Sequence, residues 1–105
     1  MGIFDFLKRN DINQGFEEFR RTEGAMLLDV RSAEEFAEGH LPGSVNLPLP
    51  ALADGVKTIA PSTPVFVYCR SGARSGRAAD ELMRMGYGSV KNIGGILDYK
   101  GDLSL

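Results

Sequence analysis

The only cysteine of the chain stands between two contrasting segments and is the residue best placed to do chemistry. Cys69 follows an apolar run that begins at Val65, and it precedes a short polar loop of arginine, serine and glycine. Behind that loop, apolar residues recur at helical spacing as far as Gly86. Backbone N–H groups of such a loop, together with the positive end of the following helix, converge on an anion. Because this setting stabilises a thiolate, the pattern predicts a nucleophilic sulfur in an anion-binding loop.

Two arginines accompany the cysteine. Arg74 lies in the first turn of the predicted helix, where the helix dipole ordinarily favours acidic side chains. A bound anion would explain this placement, so we expect Arg74 to contact the substrate. Arg70 is expected either to contact the substrate or to steer anions at the rim. Since both charges favour a thiolate, we expect the pKa of Cys69 to lie below that of a free cysteine, and we expect the side chain to be partly exposed.

The elements that must position this loop alternate between strand and helix. The predicted strands cover residues 25–30, 45–47, 65–69 and 89–93, and the predicted helices cover 11–21, 32–39, 50–60 and the segment from the loop to Gly86. Residues 1–10 are expected to form a short amphipathic lead-in. The order predicts an α/β fold, an open parallel sheet of about five short strands with helices on both faces. In such a sheet the carboxyl ends of the strands carry the site, and Cys69 and Asp29 both end strands.

Asp29 and Arg31 are expected to support the site and not to catalyse. Charge-assisted hydrogen bonds from these side chains would brace neighbouring loops, with Arg31 pairing with Glu34 or Glu35. Ser32 and Glu35 form the pattern of a capping box for the helix that Gly39 ends.

Composition limits the classes of function. A chain of 105 residues is predicted to form a single domain over residues 1–105. Its net charge of −2 gives no reason to expect nucleic acid or an anionic membrane as a partner. One cysteine allows no internal disulfide and no zinc cluster, which favours a cytoplasmic protein, and no secretory or membrane-spanning segment is expected.

Four blocks of sequence together resemble the single-domain rhodaneses, the thiosulfate and persulfide sulfurtransferases. The blocks are residues 28–36 (LDVRSAEEF), 39–44 (GHLPGS), 69–75 (CRSGARS) and 92–95 (NIGG), in the order and spacing of that family. The resemblance implies a rhodanese-like domain in which Cys69 is the catalytic nucleophile. It also implies a substrate-binding loop made of Arg70, Ser71, Gly72, Ala73, Arg74 and Ser75. His40, the only histidine, lies in a turn that resembles a structural motif of the family, so a catalytic role for it is not expected.

The mechanism implied by the resemblance is a double displacement. Cys69 would take a sulfane sulfur from a small anionic donor such as thiosulfate, and the persulfide would pass that sulfur to cyanide or to a thiol. With no second cysteine the acceptor must be external, either a low-molecular-weight thiol or a thioredoxin-like protein. No metal and no organic cofactor is expected. Residues 96–99 (ILDY) stand where the family often carries tryptophans, which affects the rim of the site.

Two other interpretations use the same residues. Cysteine-dependent phosphatases and some arsenate reductases hold a thiolate in a loop of pattern Cys-x5-Arg. Here Cys69 and Arg74 are one residue closer, so the smaller loop is expected to fit a sulfur bound to sulfur better than a tetrahedral phosphate. No acidic residue stands out as the leaving-group acid that such phosphatases need. A binding module without catalysis would normally lack the cysteine.

Overall fold

Helices and strands alternate along the chain as the sequence predicts. The computed structural model describes residues 10–105, so the predicted lead-in lies, apart from Asn10, outside the described residues. The helices are α1 (Ile12–Arg21), α2 (Ala33–Glu38), α3 (Leu52–Gly55) and α4 (Ala73–Arg84). The strands are β1 (Met26–Asp29), β2 (Val45–Asn46), β3 (Val65–Cys69) and β4 (Val90–Gly95). Short 3-10 helices cover Leu49–Ala51 and Ile96–Asp98. No helix within residues 10–105 has both the length and the apolar character needed to cross a membrane.

The strands form one parallel sheet with the order β2-β1-β3-β4. Over the described residues it has four strands where about five were predicted. The four strands correspond to the four ranges predicted as strands, and the fifth had been assigned to no particular range. After β4 the chain forms a 3-10 helix and one antiparallel bridge between His40 and Ser104. β3 lies in the interior of the sheet, so the strand that ends at Cys69 is supported on both sides.

Helices cover both faces of the sheet, as predicted. Leu28 and Val67 point to one face, where they belong to the same buried cluster as Leu82 of α4. Their neighbours Leu27 and Phe66 point to the opposite face, and the cluster there includes Ile12 and Phe16 of α1. Because side chains alternate between the faces of a strand, burial on both sides requires the nearly continuous apolar runs seen in β1 and β3.

Helix ends follow the sequence closely, with one exception. The capping box is confirmed: Glu35 N donates to Ser32 Oγ at 3.2 Å, and Ser32 N donates to Glu35 Oε1 at 3.0 Å. The predicted helix over residues 50–60 was too long, since only Leu52–Gly55 is α-helical. Gly55, a weak helix former, ends it, and the Leu47 side chain packs where a Cβ of that glycine would stand.

Candidate active site

Cys69 is the last residue of β3 and is paired in the sheet with Gly95, so its sulfur lies at the carboxyl edge of the sheet. Residues 70–72 form the loop that follows, and α4 begins at Ala73. Gly72 turns the chain with a φ of +105°, a left-handed conformation that glycine adopts without strain. The turn places three donors around the cysteine Sγ: the Gly72 amide at 3.0 Å, the Ser75 amide at 3.3 Å and the Ser75 hydroxyl at 3.3 Å.

The thiol is more deeply enclosed than the sequence suggested. Cys69 is only 1% exposed, so the expectation of partial exposure was wrong. The reason is local, because the loop folds back over the sulfur and brings the amides of Gly72 and Ser75 onto it. An anionic sulfur in this position is therefore bound by directed hydrogen bonds and shielded from water.

The pKa of Cys69 lies below its ordinary value, as predicted, and the loop amides that were expected to lower it are among the main causes. Burial acts to raise the pKa, and it is outweighed by the Ser75 hydroxyl and by the amides of Ser75, Gly72 and Ser71, which all favour the thiolate. Neither loop arginine is among the leading causes. The loop therefore stabilises the thiolate mainly with neutral hydrogen-bond donors at short range.

Asn92 on β4 holds the loop from behind, and the sequence analysis did not select it. Its Oδ1 accepts from the Ser75 hydroxyl at 2.7 Å and from the Gly94 amide at 3.0 Å, and its Nδ2 donates to the Gly72 carbonyl at 3.2 Å. A hydroxyl has one proton, so Ser75 shares it among Asn92 Oδ1, the Gly72 carbonyl and the Cys69 sulfur. The signal available in the sequence was that Asn92 opens the fourth block of the resemblance.

Gly95 allows β4 to lie directly against the loop. A Cβ at this position would collide with the carbonyl oxygen of Arg70 and the Cα of Ser71. The preceding Gly94 has a φ of +111°, a left-handed conformation that bends the chain. The close approach at Gly95 adds a second role, since it fixes the distance between the sheet and the cysteine loop.

Arg74 forms a bidentate ion pair with Glu35 of α2. Its Nη1 lies 2.8 Å from Glu35 Oε1 and its Nη2 lies 3.0 Å from Oε2. Hydrogen bonds from Arg74 are the main reason that the pKa of Glu35 falls to about 2; burial opposes the shift and hydrogen bonds from Ser32 add to it. Contact between Arg74 and substrate stays a prediction. Sequence reasoning missed this partner, because it assigned Glu35 to the helix cap and to a possible pairing with Arg31.

Arg31 is paired with Asp29, and the predicted pairing with Glu34 or Glu35 was wrong. Arg31 Nη2 lies 2.6 Å from Asp29 Oδ2, and Nε lies 2.9 Å from Oδ1. Both residues are buried, and the same Nη2 donates to the Gly39 carbonyl at 2.7 Å. Arg31 pairs with Asp29 because Asp29 lies two residues away at the end of β1, while the Glu35 carboxylate is bound by Arg74. The pair thus ties the end of β1 to the turn at Gly39.

His40 is held in its turn. Its ring stacks on Phe36 with centroids 3.6 Å apart, and Nδ1 lies 2.9 Å from the Phe36 carbonyl oxygen. Its backbone pairs with Ser104 in both directions. These contacts fit the structural role expected for the turn.

A cavity of about 340 Å³ opens beside the loop. Charged side chains of both signs line it, with an apolar edge formed by the short 3-10 helix after β4: Arg31, Arg70, Glu35, Glu38, Ile96 and Leu97. Arg70 thus faces this cavity at the rim, and its carbonyl oxygen accepts from the Leu97 amide at 3.2 Å. In the part of the chain that the structure describes, no group of three or more His, Cys, Asp or Glu side chains is arranged to hold a metal ion.

Comparison with known proteins identifies relatives in sequence and in fold. The sequence model of a family described as "Rhodanese-like domain" matches residues 13–102. A sulfurtransferase of Allochromatium vinosum is 42% identical over 77 residues, which cover 72% of this chain and 72% of that protein. The thiosulfate sulfurtransferase PspE of Escherichia coli is 38% identical over 73 residues, which cover 68% of this chain and 70% of that protein. Among solved structures, a rhodanese with anions from E. coli matches with a TM-score of 0.70 and 32% identity, over 76% of this chain and 96% of that one.

Proposed function

The chain belongs to the rhodanese-like family, and on that premise we propose that it moves a sulfane sulfur from an anionic donor such as thiosulfate to an external acceptor through a persulfide on Cys69. One observation carries the proposal: three hydrogen-bond donors converge on a single buried sulfur, at 3.0 to 3.3 Å. Such an arrangement stabilises negative charge on sulfur both before and after the transfer.

In the first step the Cys69 thiolate attacks the outer sulfur of thiosulfate. A new S–S bond forms, the S–S bond of the donor breaks, and its electron pair leaves with sulfite. The enzyme sulfur keeps one negative charge, which moves to the terminal atom of the persulfide. Loop amides from residues 70–75 are proposed to hold that atom, as the amides of Gly72 and Ser75 hold Sγ in the resting enzyme.

In the second step an acceptor thiolate or cyanide attacks the terminal sulfur, and Cys69 leaves as a thiolate. The depressed pKa of Cys69 helps here as well, because a more acidic thiol is a better leaving group. The sequence contains one cysteine, so the acceptor is external, either a low-molecular-weight thiol or a thioredoxin-like protein. The family and its named relatives support the sulfur chemistry in general, and the choice of acceptor is part of the proposal.

The supporting residues have distinct proposed tasks. Ser75 and Asn92 orient the loop around the sulfur, and the buried pair of Asp29 and Arg31 keeps the neighbouring turn in place. Arg70 faces the cavity beside the loop, where it can attract an anionic donor.

Production of thiocyanate from thiosulfate and cyanide tests the proposal. Wild type should form thiocyanate, and Cys69→Ser, which keeps the size and polarity of the side chain, should form none above background. The same preparations should not hydrolyse an aryl phosphate. Hydrolysis that depends on Cys69, without thiocyanate formation, would instead support the phosphatase interpretation.

A further inference from the structure

The charged groups around the loop are largely compensated within the protein. Arg74 is neutralised by Glu35, and the buried Arg31 is neutralised by Asp29. Of the charged side chains that line the adjacent cavity, two are basic, Arg31 and Arg70, and two are acidic, Glu35 and Glu38. An anionic donor that enters this cavity therefore meets carboxylates as well as arginines. Binding of an anion would be stronger if the cavity were lined by arginines without carboxylates.

Glu35 is fixed in this position by contacts on both sides. Its Oε1 accepts from the Ser32 amide at 3.0 Å and from Arg74 Nη1 at 2.8 Å, while Oε2 accepts from Arg74 Nη2 at 3.0 Å. Its side chain is 26% exposed and lines the cavity, whereas the Arg74 guanidinium binds the carboxylate edge to edge. Because hydrogen bonds from Arg74 hold the pKa of Glu35 at about 2, the carboxylate is a negative charge on the wall of the cavity. The pKa of Arg74 is raised in turn, mainly by its hydrogen bonds to Glu35 and also by the charges of Glu35 and Cys69.

We propose that Glu35 is a specificity-determining residue that disfavours dianionic sulfur donors relative to monoanionic ones. By neutralising Arg74 and facing the cavity, it reduces the electrostatic advantage that a dianionic donor would have over a monoanionic one. The inference rests on the proposed function and deepens it, because it concerns the donor of the same site. Glu35 acts through the charge that it places beside the donor and through Arg74, and it takes no part in breaking the S–S bond.

Two donors of the same chemistry but different charge isolate this effect. Thiosulfate carries two negative charges and releases sulfite when its outer sulfur is transferred. Methanethiosulfonate carries one negative charge and releases methanesulfinate in the same step. In both reactions the Cys69 thiolate forms the new S–S bond, the donor S–S bond breaks, and the electron pair leaves with the oxidised sulfur. The ionised fraction of Cys69 affects kcat/KM for both donors equally. It therefore cancels in the ratio of the two kcat/KM values.

Glu35→Gln removes the charge with little change of shape. Glutamine also serves at the third position of a capping box, so α2 should keep its N-terminal cap. Removing one charge beside a bound donor changes the electrostatic energy of that donor, and the change is larger for a dianion than for a monoanion. The ratio of kcat/KM for thiosulfate to kcat/KM for methanethiosulfonate should therefore rise at least about threefold in the variant at low ionic strength. Added salt should reduce the rise, because mobile ions screen charges near the surface.

Glu34→Gln is the matched control. Glu34 lies next to Glu35 on the same helix and carries the same charge, but it is exposed and does not line the cavity. The ratio should stay at the wild-type value in this variant. A purely structural role for Glu35 would lower both kcat/KM values together and would leave the ratio unchanged.

Three outcomes separate the possibilities. A raised ratio in Glu35→Gln with no change in Glu34→Gln supports the inference. Transfer of sulfur from both donors with the same ratio in all three proteins overturns it and leaves the proposed function intact. Absence of sulfur transfer from either donor to wild-type Cys69 refutes the proposed function and this inference with it.

Discussion

The Ser75 hydroxyl offers the sharpest test of how the loop stabilises the Cys69 thiolate. Ser75→Ala removes one of the three donors to Sγ and keeps the backbone amide of residue 75 in place. A hydrogen bond to a charged group contributes about 1.5–3 kcal/mol. The Ser75 proton is shared, however, since its oxygen lies 2.7 Å from Asn92 Oδ1, 3.2 Å from the Gly72 carbonyl oxygen and 3.3 Å from Sγ. We therefore expect a contribution just below that range, about 1.4 kcal/mol, which corresponds to one pKa unit.

The sign follows from the loss of a donor to the charged form. Without the hydroxyl, the thiolate is less stable relative to the thiol, so the pKa of Cys69 should rise by about one unit. At a pH below both midpoints, the thiolate fraction and the alkylation rate should then fall about tenfold.

The assay is the rate of alkylation by iodoacetamide as a function of pH. Cys69 is the only cysteine of the chain, so the whole signal reports this residue. Ser71→Ala is the control, because Ser71 lowers the pKa of Cys69 through its backbone amide, which alanine retains. An unchanged or lower midpoint in a folded Ser75→Ala protein would refute the assignment of the hydroxyl as a donor to the thiolate.

Two further predictions follow from the neighbours of the loop. Gly95→Ala should reduce sulfur transfer more than about tenfold, because the added Cβ would displace the loop at Arg70 and Ser71. Gly88→Ala is the control and should transfer sulfur at the wild-type rate, because its Cβ would have no atom within 4 Å. Equal rates in the two variants would contradict the close packing of Gly95 against the loop. The Glu35 carboxylate, whose pKa is lowered from 4.5 to about 2, should stabilise the fold above pH 4.5 and lose that contribution as the pH falls towards about 2. Denaturant unfolding should therefore show wild type more stable than Glu35→Gln at about pH 6 and the difference shrinking on acidification, whereas a difference independent of pH would show that the ion pair is not responsible.

The parts of the fold that local sequence determines were predicted correctly. Three short-range signals were involved: capping residues such as Ser32, the apolar runs of β1 and β3, and the change from apolar to polar residues at Cys69. Together with the rule that sites lie at the carboxyl ends of parallel strands, they were enough to place the nucleophile. The predicted helix over residues 50–60 was too long, because Gly55, a weak helix former, ends α3 after about one turn.

The parts of the site that depend on register could not be predicted from the sequence. Glu35 and Arg74 are 39 positions apart, and each had a plausible local role as a cap or as a substrate contact. Asn92 reaches Ser75 from a neighbouring strand whose register shifts beside β3. Burial of Cys69 depends on how tightly the loop closes at Gly72, a property of three-dimensional packing. The action of residues 1–105 as a single domain, and a cytoplasmic location, stay predictions.

Intact mass of the protein after exposure to thiosulfate tests the central claim most directly. Reduced wild type should gain the mass of one sulfur atom, lose it again on addition of cyanide, and release thiocyanate in equal amount. Cys69→Ser should gain nothing under the same conditions. A wild-type protein that never gains sulfur, or a Cys69→Ser protein that does, would contradict the account.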